Sequence, residues 1–203
     1  MTRGLAWGSA GGMLLLAIAS AHPAAAHTLD DRFGDFYGGV LHPLTALEHA
    51  LPILALGLLA GQQGERAARW LVLVFPLALL IGAVLAVLTP ALPSVSVLNA
   101  ASFVALGLLV AAGCRLPLTL LIALGAVFGL SHGYENGRAM GPDTATHLFV
   151  PGVAVAGGLV TALVSAATID LAARTWARIG VRVVGSWIAA IGIMTIDLAW
   201  RPV

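Results

Sequence analysis

The chain of 203 residues contains no lysine and one cysteine, and only 9% of its residues are charged. A single cysteine, Cys114, excludes an internal disulfide and a zinc site made of cysteines. The sequence also has no Gly-rich loop followed by a lysine, which excludes nucleotide hydrolysis by this chain. Because the charges are scattered and the net charge is +1, they form no basic patch, and we expect no nucleic-acid partner.

Apolar residues dominate what is present, at 60% of the chain and a mean hydropathy of +0.99. These values predict an all-α integral membrane protein whose main partner is the lipid bilayer. Six apolar segments approach the ~20 residues that a membrane-spanning helix needs. They cover residues 38–61, 68–89, 95–113, 117–134, 145–170 and 180–200. The loops between them are short, so residues 27–203 are predicted to form one bundle of six transmembrane helices.

The first 26 residues resemble a secretory signal peptide. Arg3 precedes an apolar stretch over residues 11–21, and three alanines at residues 24–26 form a small-residue cleavage site. We expect cleavage after Ala26, and the alternative is an uncleaved additional span. Cleavage would place His27 at the new N-terminus, where the α-amine and the imidazole together can chelate a divalent metal. The simpler alternative is a histidine that merely follows the cleavage site.

The distribution of arginine predicts the orientation. Six arginines fall in the loops on one side of the six spans and three on the other. The richer side has Arg66, Arg69, Arg115, Arg174, Arg178 and Arg182, and the poorer side has Arg32, Arg138 and Arg201. The richer side is therefore predicted to be cytoplasmic. A cleaved signal agrees, since it places the mature N-terminus outside. We expect an inner-membrane protein with both mature termini on the periplasmic or extracellular side.

Ionisable side chains are concentrated towards the predicted outer face. His42, Glu48 and His49 occur together in HPLTALEH, in the outer half of the first span. His132 and Glu135 occur in SHGYENG, at the outer end of the fourth. The fifth span begins near His147, and the sixth has Asp197 in its last turns. An ionisable residue at a helix centre in a bilayer costs roughly 2.5–3.5 kcal/mol, so this concentration predicts a function.

Imidazole and carboxylate groups are suitable ligands for Ni²⁺, Co²⁺, Cu²⁺ and Zn²⁺. We expect such an ion to be transported rather than held as a tightly bound cofactor. On a continuous helix His42 and His49 would be ~10.5 Å apart along the axis, too far to share one ion. His42 is therefore expected to bind first and His49 deeper, while Glu48 accepts a proton or orients an imidazole. His132 and Glu135, at i and i+3, could reach one ion if their helix continues.

Small and amide side chains predict two further features. Gly125, Gly129 and Gly133 recur every four residues, which favours close approach of a neighbouring helix. Gln62 and Gln63 follow the first span and are expected to solvate a loop.

The two histidine motifs and their surroundings resemble the HupE/UreJ family of small membrane proteins. The similarity runs from FGDFYGGVLHPLTALEHALPILALGLLAGQQG through VFGLSHGYENG to GSWIAAIGI and covers most of the mature chain. The resemblance implies a nickel or cobalt permease. It also implies metal contact at His42, Glu48, His49, His132 and Glu135. Many members of this family have Asp where this chain has Glu48.

Three functions compete on the sequence. The first is a secondary transporter or facilitator that takes up a divalent metal, nickel or cobalt above copper or zinc. The second is a membrane accessory subunit that binds metal without transporting it. The third is an intramembrane serine hydrolase at GLSHG, with Ser131 as nucleophile and His49 or His147 as base. A Gly-rich membrane helix is the wrong setting for that nucleophile motif, so we expect no enzyme. The sequence leaves a homo-oligomer open.

Overall fold

The computed structural model of the protein describes the backbone of residues 24–200 and the side chains of residues 34–196. All regular structure in this part of the chain is helical. The elements are α1 (Ala24–Thr45), α2 (Leu47–Gln63), α3 (Glu65–Leu88), α4 (Ser96–Ala112), α5 (Leu118–Arg138), α6 (Thr146–Asp170), a 3₁₀ turn (Leu171–Ala173) and α7 (Thr175–Trp200). The predicted signal segment, residues 1–26, lies almost entirely outside the described residues, and its cleavage stays a prediction.

Four helices are long and apolar enough to cross a membrane: α3, α5, α6 together with the 3₁₀ turn, and α7. A fifth span arises if the end of α1 and α2 are taken together as one bent unit. The remaining predicted span corresponds to α4, an apolar helix of 17 residues. The structure thus confirms an all-helical fold with helices suited to a membrane. The count of six full-length spans is not reached.

The prediction of one continuous helix over residues 38–61 is wrong. The chain bends by 76° between the end of α1 and α2. Ala46 lies at the bend in an extended conformation, with φ −88° and ψ 113°. The Thr45 hydroxyl donates to the carbonyl oxygen of Leu41 at 3.0 Å, and the His49 N–H donates to that of Ala46 at 2.9 Å. Local hydrogen bonds therefore end one helix and begin the next.

Glycines allow α3 and α5 to pack backbone to backbone. A Cβ atom on Gly82 of α3 would collide with the carbonyl oxygen of Leu130, and one on Gly133 of α5 would collide with that of Leu79. Gly125 and Gly129 face Leu71 and Ala78 of α3 in the same way. The predicted close packing along the glycine stripe is confirmed.

Close backbone packing at glycines also joins two other pairs of helices. Gly107 of α4 and Gly185 of α7 face each other, and a Cβ on either would crowd the backbone of the other helix. Gly39 of α1 lies against the carbonyl group of Phe149 in α6, and Gly152 of α6 lies against that of Phe36. Three helix pairs are thus fixed by close backbone contact, which leaves little freedom for the helices to slide.

Helix α2 lies at the centre of the bundle and packs against α3, α4 and α6. Its side chains at Ile53, Leu56 and Leu59 are almost completely buried. The expectation that the glutamines at its C-terminal end solvate a loop is wrong. Gln62 Nε2 donates to the carbonyl oxygen of Val110, and Gln63 Nε2 donates to that of Cys114. These amides thus join the end of α2 to the last turn of α4 and to the loop that follows it.

Candidate metal-binding site

Three imidazoles from three helices form a row inside the bundle. The ring centres of His42 and His49 are 5.4 Å apart, and those of His49 and His132 are 5.8 Å apart. His132 is completely buried and His49 is 3% exposed. The expected separation of His42 and His49 by two helical turns is wrong, because the bend at Ala46 folds the end of α1 back over the start of α2.

Hydrogen bonds set the tautomer of His132. Its Nε2 lies 2.8 Å from Ser102 Oγ, and the single proton of that hydroxyl is donated to the carbonyl oxygen of Asn99 at 2.6 Å. With that proton directed at Asn99, the Ser102 oxygen accepts a hydrogen bond from the N–H at His132 Nε2, and Nδ1 of the neutral ring carries the lone pair. That Nδ1 is buried and has no hydrogen-bond partner among the described residues. A histidine held through one nitrogen with the other left open is prepared to bind a metal.

His49 repeats part of this pattern. Its Nδ1 is buried and also has no hydrogen-bond partner in the described part of the chain. Its Nε2 lies 3.8 Å from Glu48 Oε1, while the Glu48 side chain is 73% exposed. The two neighbours in sequence thus place a carboxylate at the surface and an imidazole inside. This is the geometry expected of a group that attracts a cation towards a buried ligand.

Aromatic rings close the row at both ends. The ring of Phe149 in α6 lies 5.7 Å from that of His42, and the ring of Phe103 in α4 stacks at 6.4 Å on that of His132. Both phenylalanines are buried. These contacts help to hold the imidazole planes by packing, beside the hydrogen bond that Ser102 makes with His132 Nε2.

Glu135 is turned away from the row, although α5 continues past it to Arg138 as the shared-ion prediction required. Its Oε1 accepts hydrogen bonds from Ser94 Oγ at 2.9 Å and from the N–H of Val95. A carboxylate at the start of α4 also interacts favourably with the helix dipole. Glu135 is therefore occupied in holding α4, and the structure does not bring it to the ring of His132.

A cavity of about 100 Å³ lies beside the row. It is lined by Glu48, His49, Ser96, Asn99, Ala100, Phe103, Glu135 and Thr195. Both glutamates of the two motifs thus contact one small space with one of the histidines. The buried Asn99 Oδ1 has no hydrogen-bond partner among the described residues, which adds a neutral oxygen ligand there.

Of the other three predicted ligands, one has a described side chain. His147 is exposed in the first turn of α6, and two residues of helix place it about 200° around the axis from Phe149, which faces His42. The structure does not bring it to the other histidines. The side chains of His27 and Asp197 lie outside the described residues.

The imidazoles of the row are close enough to be considered as two neighbouring pairs, His42 with His49 and His49 with His132. Within the part of the chain whose side chains are described, no three His, Cys, Asp or Glu side chains converge on a point where they could hold a metal ion. Two imidazoles that share one tetrahedral metal place their ring centres about 5 Å apart. The separations of 5.4 and 5.8 Å between the ring centres of the two neighbouring pairs are close to that value.

Comparison with known proteins decides the family. The sequence profile described as HupE / UreJ protein matches residues 14–195. The chain belongs to this family. The HupE / UreJ relatives include Protein HupE of Rhizobium leguminosarum bv. viciae, which is 29% identical over 179 residues, 86% of this chain and 91% of that protein. No solved structure matches the chain at a significant level.

Sequence reasoning missed Ser102 and Asn136 in this HupE / UreJ protein. Asn136 Nδ2 donates to the carbonyl oxygen of His132 at 2.7 Å, one turn before it in α5. A signal for Ser102 existed, since Asn99 and Ser102 are polar residues at i and i+3 on an otherwise apolar helix. That spacing indicates a polar face turned into the bundle.

The described residues do not give Ser131 the surroundings that a hydrolase nucleophile needs. Ser131 lies within α5, and its hydroxyl donates to the carbonyl oxygen of Phe128 at 3.2 Å. Among the described residues, no hydrogen bond joins Ser131 to His49 or His147. A nucleophilic serine needs a base within hydrogen-bond reach and a turn that exposes its oxygen.

Proposed function

We propose that the protein takes up a divalent transition metal, nickel or cobalt, through the row formed by His42, His49 and His132. The observation that carries the proposal is the pair of buried ring nitrogens, Nδ1 of His49 and Nδ1 of His132, that have no hydrogen-bond partner in the described structure. Leaving a buried polar atom unpaired costs about 1–3 kcal/mol, which a bound ion would recover. Membership of the HupE / UreJ family supports the same reading through the permease activity that the resemblance implies.

An ion would pass along the row by exchange between pairs. His42 and His49 bind it first, and His49 and His132 bind it next, with His49 shared by both. Each pair supplies two imidazole nitrogens, fewer than the four ligands of a closed structural metal site. Transport requires binding that is strong enough to admit an ion and weak enough to release it, and successive pairs meet both conditions.

The carboxylates would collect the ion before the row. Glu48 is exposed beside His49, and Glu48 and Glu135 line the same small cavity. Two negative charges at its wall raise the local concentration of a divalent cation. His27 and Asp197, whose side chains lie outside the described residues, are further proposed ligands towards the same face, whereas the exposed His147 has no part in the proposed route.

A row of hydroxyl groups continues from the histidines into the other half of the bundle. Thr161, Ser165 and Thr168 lie on one face of α6 and are buried against Gly57 and Gly61 of α2. Thr161 Oγ1 has no hydrogen-bond partner among the described residues. We propose Thr161, the unpaired member, as the next group that the ion meets, because Thr168 already lines a cavity with three arginines that repel a divalent cation.

The membrane potential would drive inward transport. With the arginine-rich side in the cytoplasm and both mature termini outside, a potential of 100 mV contributes about 2.3 kcal/mol per charge, and about twice that for a divalent ion.

The test is the metal content of metal-limited cells, measured by mass spectrometry. The cells express the wild type, the double variant His49→Ala with His132→Ala, or the control variant His147→Ala. We expect selective nickel or cobalt accumulation in the wild type, loss of most of it in the double variant, and little change in the control. The control removes an exposed histidine of the same face without touching the row.

Equal metal content in all three strains, across nickel, cobalt, copper and zinc, would exclude uptake through the row. Purified protein in proteoliposomes distinguishes a transporter from a subunit that binds metal without transporting it. Bound metal without flux into the vesicles would assign the non-transporting accessory subunit instead.

A further inference from the structure

A second and larger cavity lies at the opposite end of the bundle from the histidines. It has a volume of about 660 Å³ and is enclosed by the C-terminal ends of α2, α4 and α6 and by the start of α7. Gln62 lies in its wall, thirteen residues along α2 from His49, which corresponds to about 20 Å of helix. The cavity is therefore separate from the proposed metal route's outer site.

Positive charge distinguishes this cavity. Arg115, Arg178 and Arg182 line it, and no acidic side chain among the described residues does so. The first turn of α7 also lines it, and a helix N-terminus carries partial positive charge. Three guanidinium groups beside a helix N-terminus repel a divalent cation and attract an anion, so this cavity is not arranged as a metal site.

Two of the guanidinium groups are held in place by the backbone. Arg115 Nη1 donates to the carbonyl oxygen of Gln62 at 2.8 Å, and Arg182 Nε donates to that of Ala111 at 2.7 Å. A guanidinium has five N–H donors, so each retains others for a ligand. The fork of N–H groups in arginine matches the oxygens of a phosphate.

Most of the remaining wall is apolar, and it meets the lipid-facing surface. Leu58, Val164 and Leu171 form part of it. Ile179 at its edge is 58% exposed, and the neighbouring Trp176 is 64% exposed, as expected for a tryptophan at a membrane interface. A free phosphate ion has no use for such walls, whereas a phospholipid has a charged headgroup and apolar chains.

We infer that this cavity binds the headgroup phosphate of an anionic phospholipid. A volume of about 660 Å³ falls within the range of ~300–1,000 Å³ for small-ligand pockets and holds a headgroup, while the acyl chains extend along α7. Basic pockets between membrane helices recognise anionic headgroups on the cytoplasmic side, which is the side predicted here from the arginine distribution. The bound lipid offsets part of the positive charge of the three arginines at the inner end of the bundle.

The test counts lipids bound to the full purified chain by native mass spectrometry. The protein is supplied with phosphatidylglycerol, with phosphatidylcholine of the same chains, or with inorganic phosphate. We expect phosphatidylglycerol to be retained and phosphatidylcholine not. Arg178→Gln should lower its occupancy about fivefold, the effect of roughly one basic residue near an anionic surface. Arg178 is chosen because its one described side-chain bond, to Thr175 Oγ1 at 3.4 Å, is weak.

Two further variants complete the experiment. Arg66→Gln removes an exposed arginine of the same predicted side that does not line the cavity, and it should leave lipid binding unchanged. Ala167→Phe fills the cavity without changing its charge and should also lower occupancy. Variants are compared at the same elution volume in size-exclusion chromatography.

Three results would overturn the inference. Equal retention of the two lipids would exclude recognition of the anionic headgroup. Equal loss in Arg66→Gln and Arg178→Gln would assign the binding to general surface charge. Binding of inorganic phosphate without retention of any lipid would assign the cavity to a soluble anion.

Discussion

The two ends of α2 use their polar groups in opposite ways. At the histidine end, Nδ1 of His49, Nδ1 of His132 and Oδ1 of Asn99 are buried without hydrogen-bond partners in the described structure. At the glutamine end, both polar atoms of the Gln63 amide are satisfied, by the carbonyl oxygen of Cys114 and the N–H of Leu116. One end is left open for a ligand and the other joins helices together.

One end of this helix of 17 residues is therefore expected to affect metal binding, and the other end the stability of the fold. Polar groups that pair within the protein contribute to its fold, and those left unpaired reduce its stability until a ligand arrives. Gln62 Oε1 is the exception at the inner end, since it too lacks a partner among the described residues. Variants at the two ends should therefore affect different measurements.

The largest expected effect at the histidine end comes from Ser102→Ala. The substitution removes the acceptor that holds the Nε2 proton of His132, so the ring loses its set tautomer and orientation. Loss of such a support typically lowers metal affinity by about 10–100-fold. Calorimetric titration of the purified protein with Ni²⁺ measures the change, and Ser102→Thr should restore most of the affinity.

Ser186→Ala is the matched control for this prediction, because Ser186 is exposed and its hydroxyl bonds only to a carbonyl oxygen of its own helix. Unchanged nickel affinity in Ser102→Ala would mean that His132 needs no support from Ser102. The unpaired Nδ1 of His132 would then not be a prepared ligand.

An intermediate effect is expected at the glutamine end, from Gln63→Ala. It removes two hydrogen bonds to the loop between α4 and α5 and should lower the free energy of unfolding by about 1–3 kcal/mol. Thermal unfolding in detergent measures the loss, and nickel affinity should stay unchanged. Arg69→Gln, which breaks only an exposed ion pair with Glu65, should change stability by less than about 1 kcal/mol. A drop in nickel affinity with Gln63→Ala would contradict the view that the glutamine end of α2 affects stability and not metal binding.

The smallest effect is expected from Glu48→Gln. Its carboxylate is exposed 3.8 Å from His49 Nε2, so it attracts a cation without being buried with it. We expect the initial uptake rate at low metal to fall by a few fold, about 2–5-fold, and the difference to shrink at high ionic strength. Glu65→Gln, an exposed glutamate at the other end of the bundle, should leave the rate unchanged. A loss from Glu48→Gln that persists at high salt would make Glu48 a direct ligand.

Hydropathy predicted where the helices lie, since each of the six apolar segments is helical. It also predicted the close packing at Gly129 and Gly133, because small residues every four positions occupy one face of a helix. Apolar content does not determine whether a helix is continuous. The bend at Ala46 has neither glycine nor proline at its centre, and it was therefore missed.

The bend at Ala46 sets the distances between the histidines of the site. Thr45 and Glu48 form the T-x-x-E pattern that marks helix starts, and it would have placed the boundary within about a residue or two. The structure does not form that capping box, since the Thr45 hydroxyl donates to Leu41 instead. That His42, His49 and His132 lie in the same part of the bundle could be predicted from their sequence positions. Their mutual distances could not, because they depend on a 76° turn of the backbone.

The bend also leaves α2, at the centre of the bundle, as a short helix. Helices α2 and α4 have 17 residues each and extend about 25 Å, whereas α3 has 24 and extends about 36 Å. The hydrocarbon layer of a bilayer is about 30 Å thick. Helices α2 and α4 are thus shorter than the hydrocarbon layer, and α3 is longer. Such mismatch is relieved by local thinning of the bilayer or by tilting. An ion at the middle of the bundle would cross a thinner barrier than the surrounding membrane presents, and lipid chain length would tune that thickness.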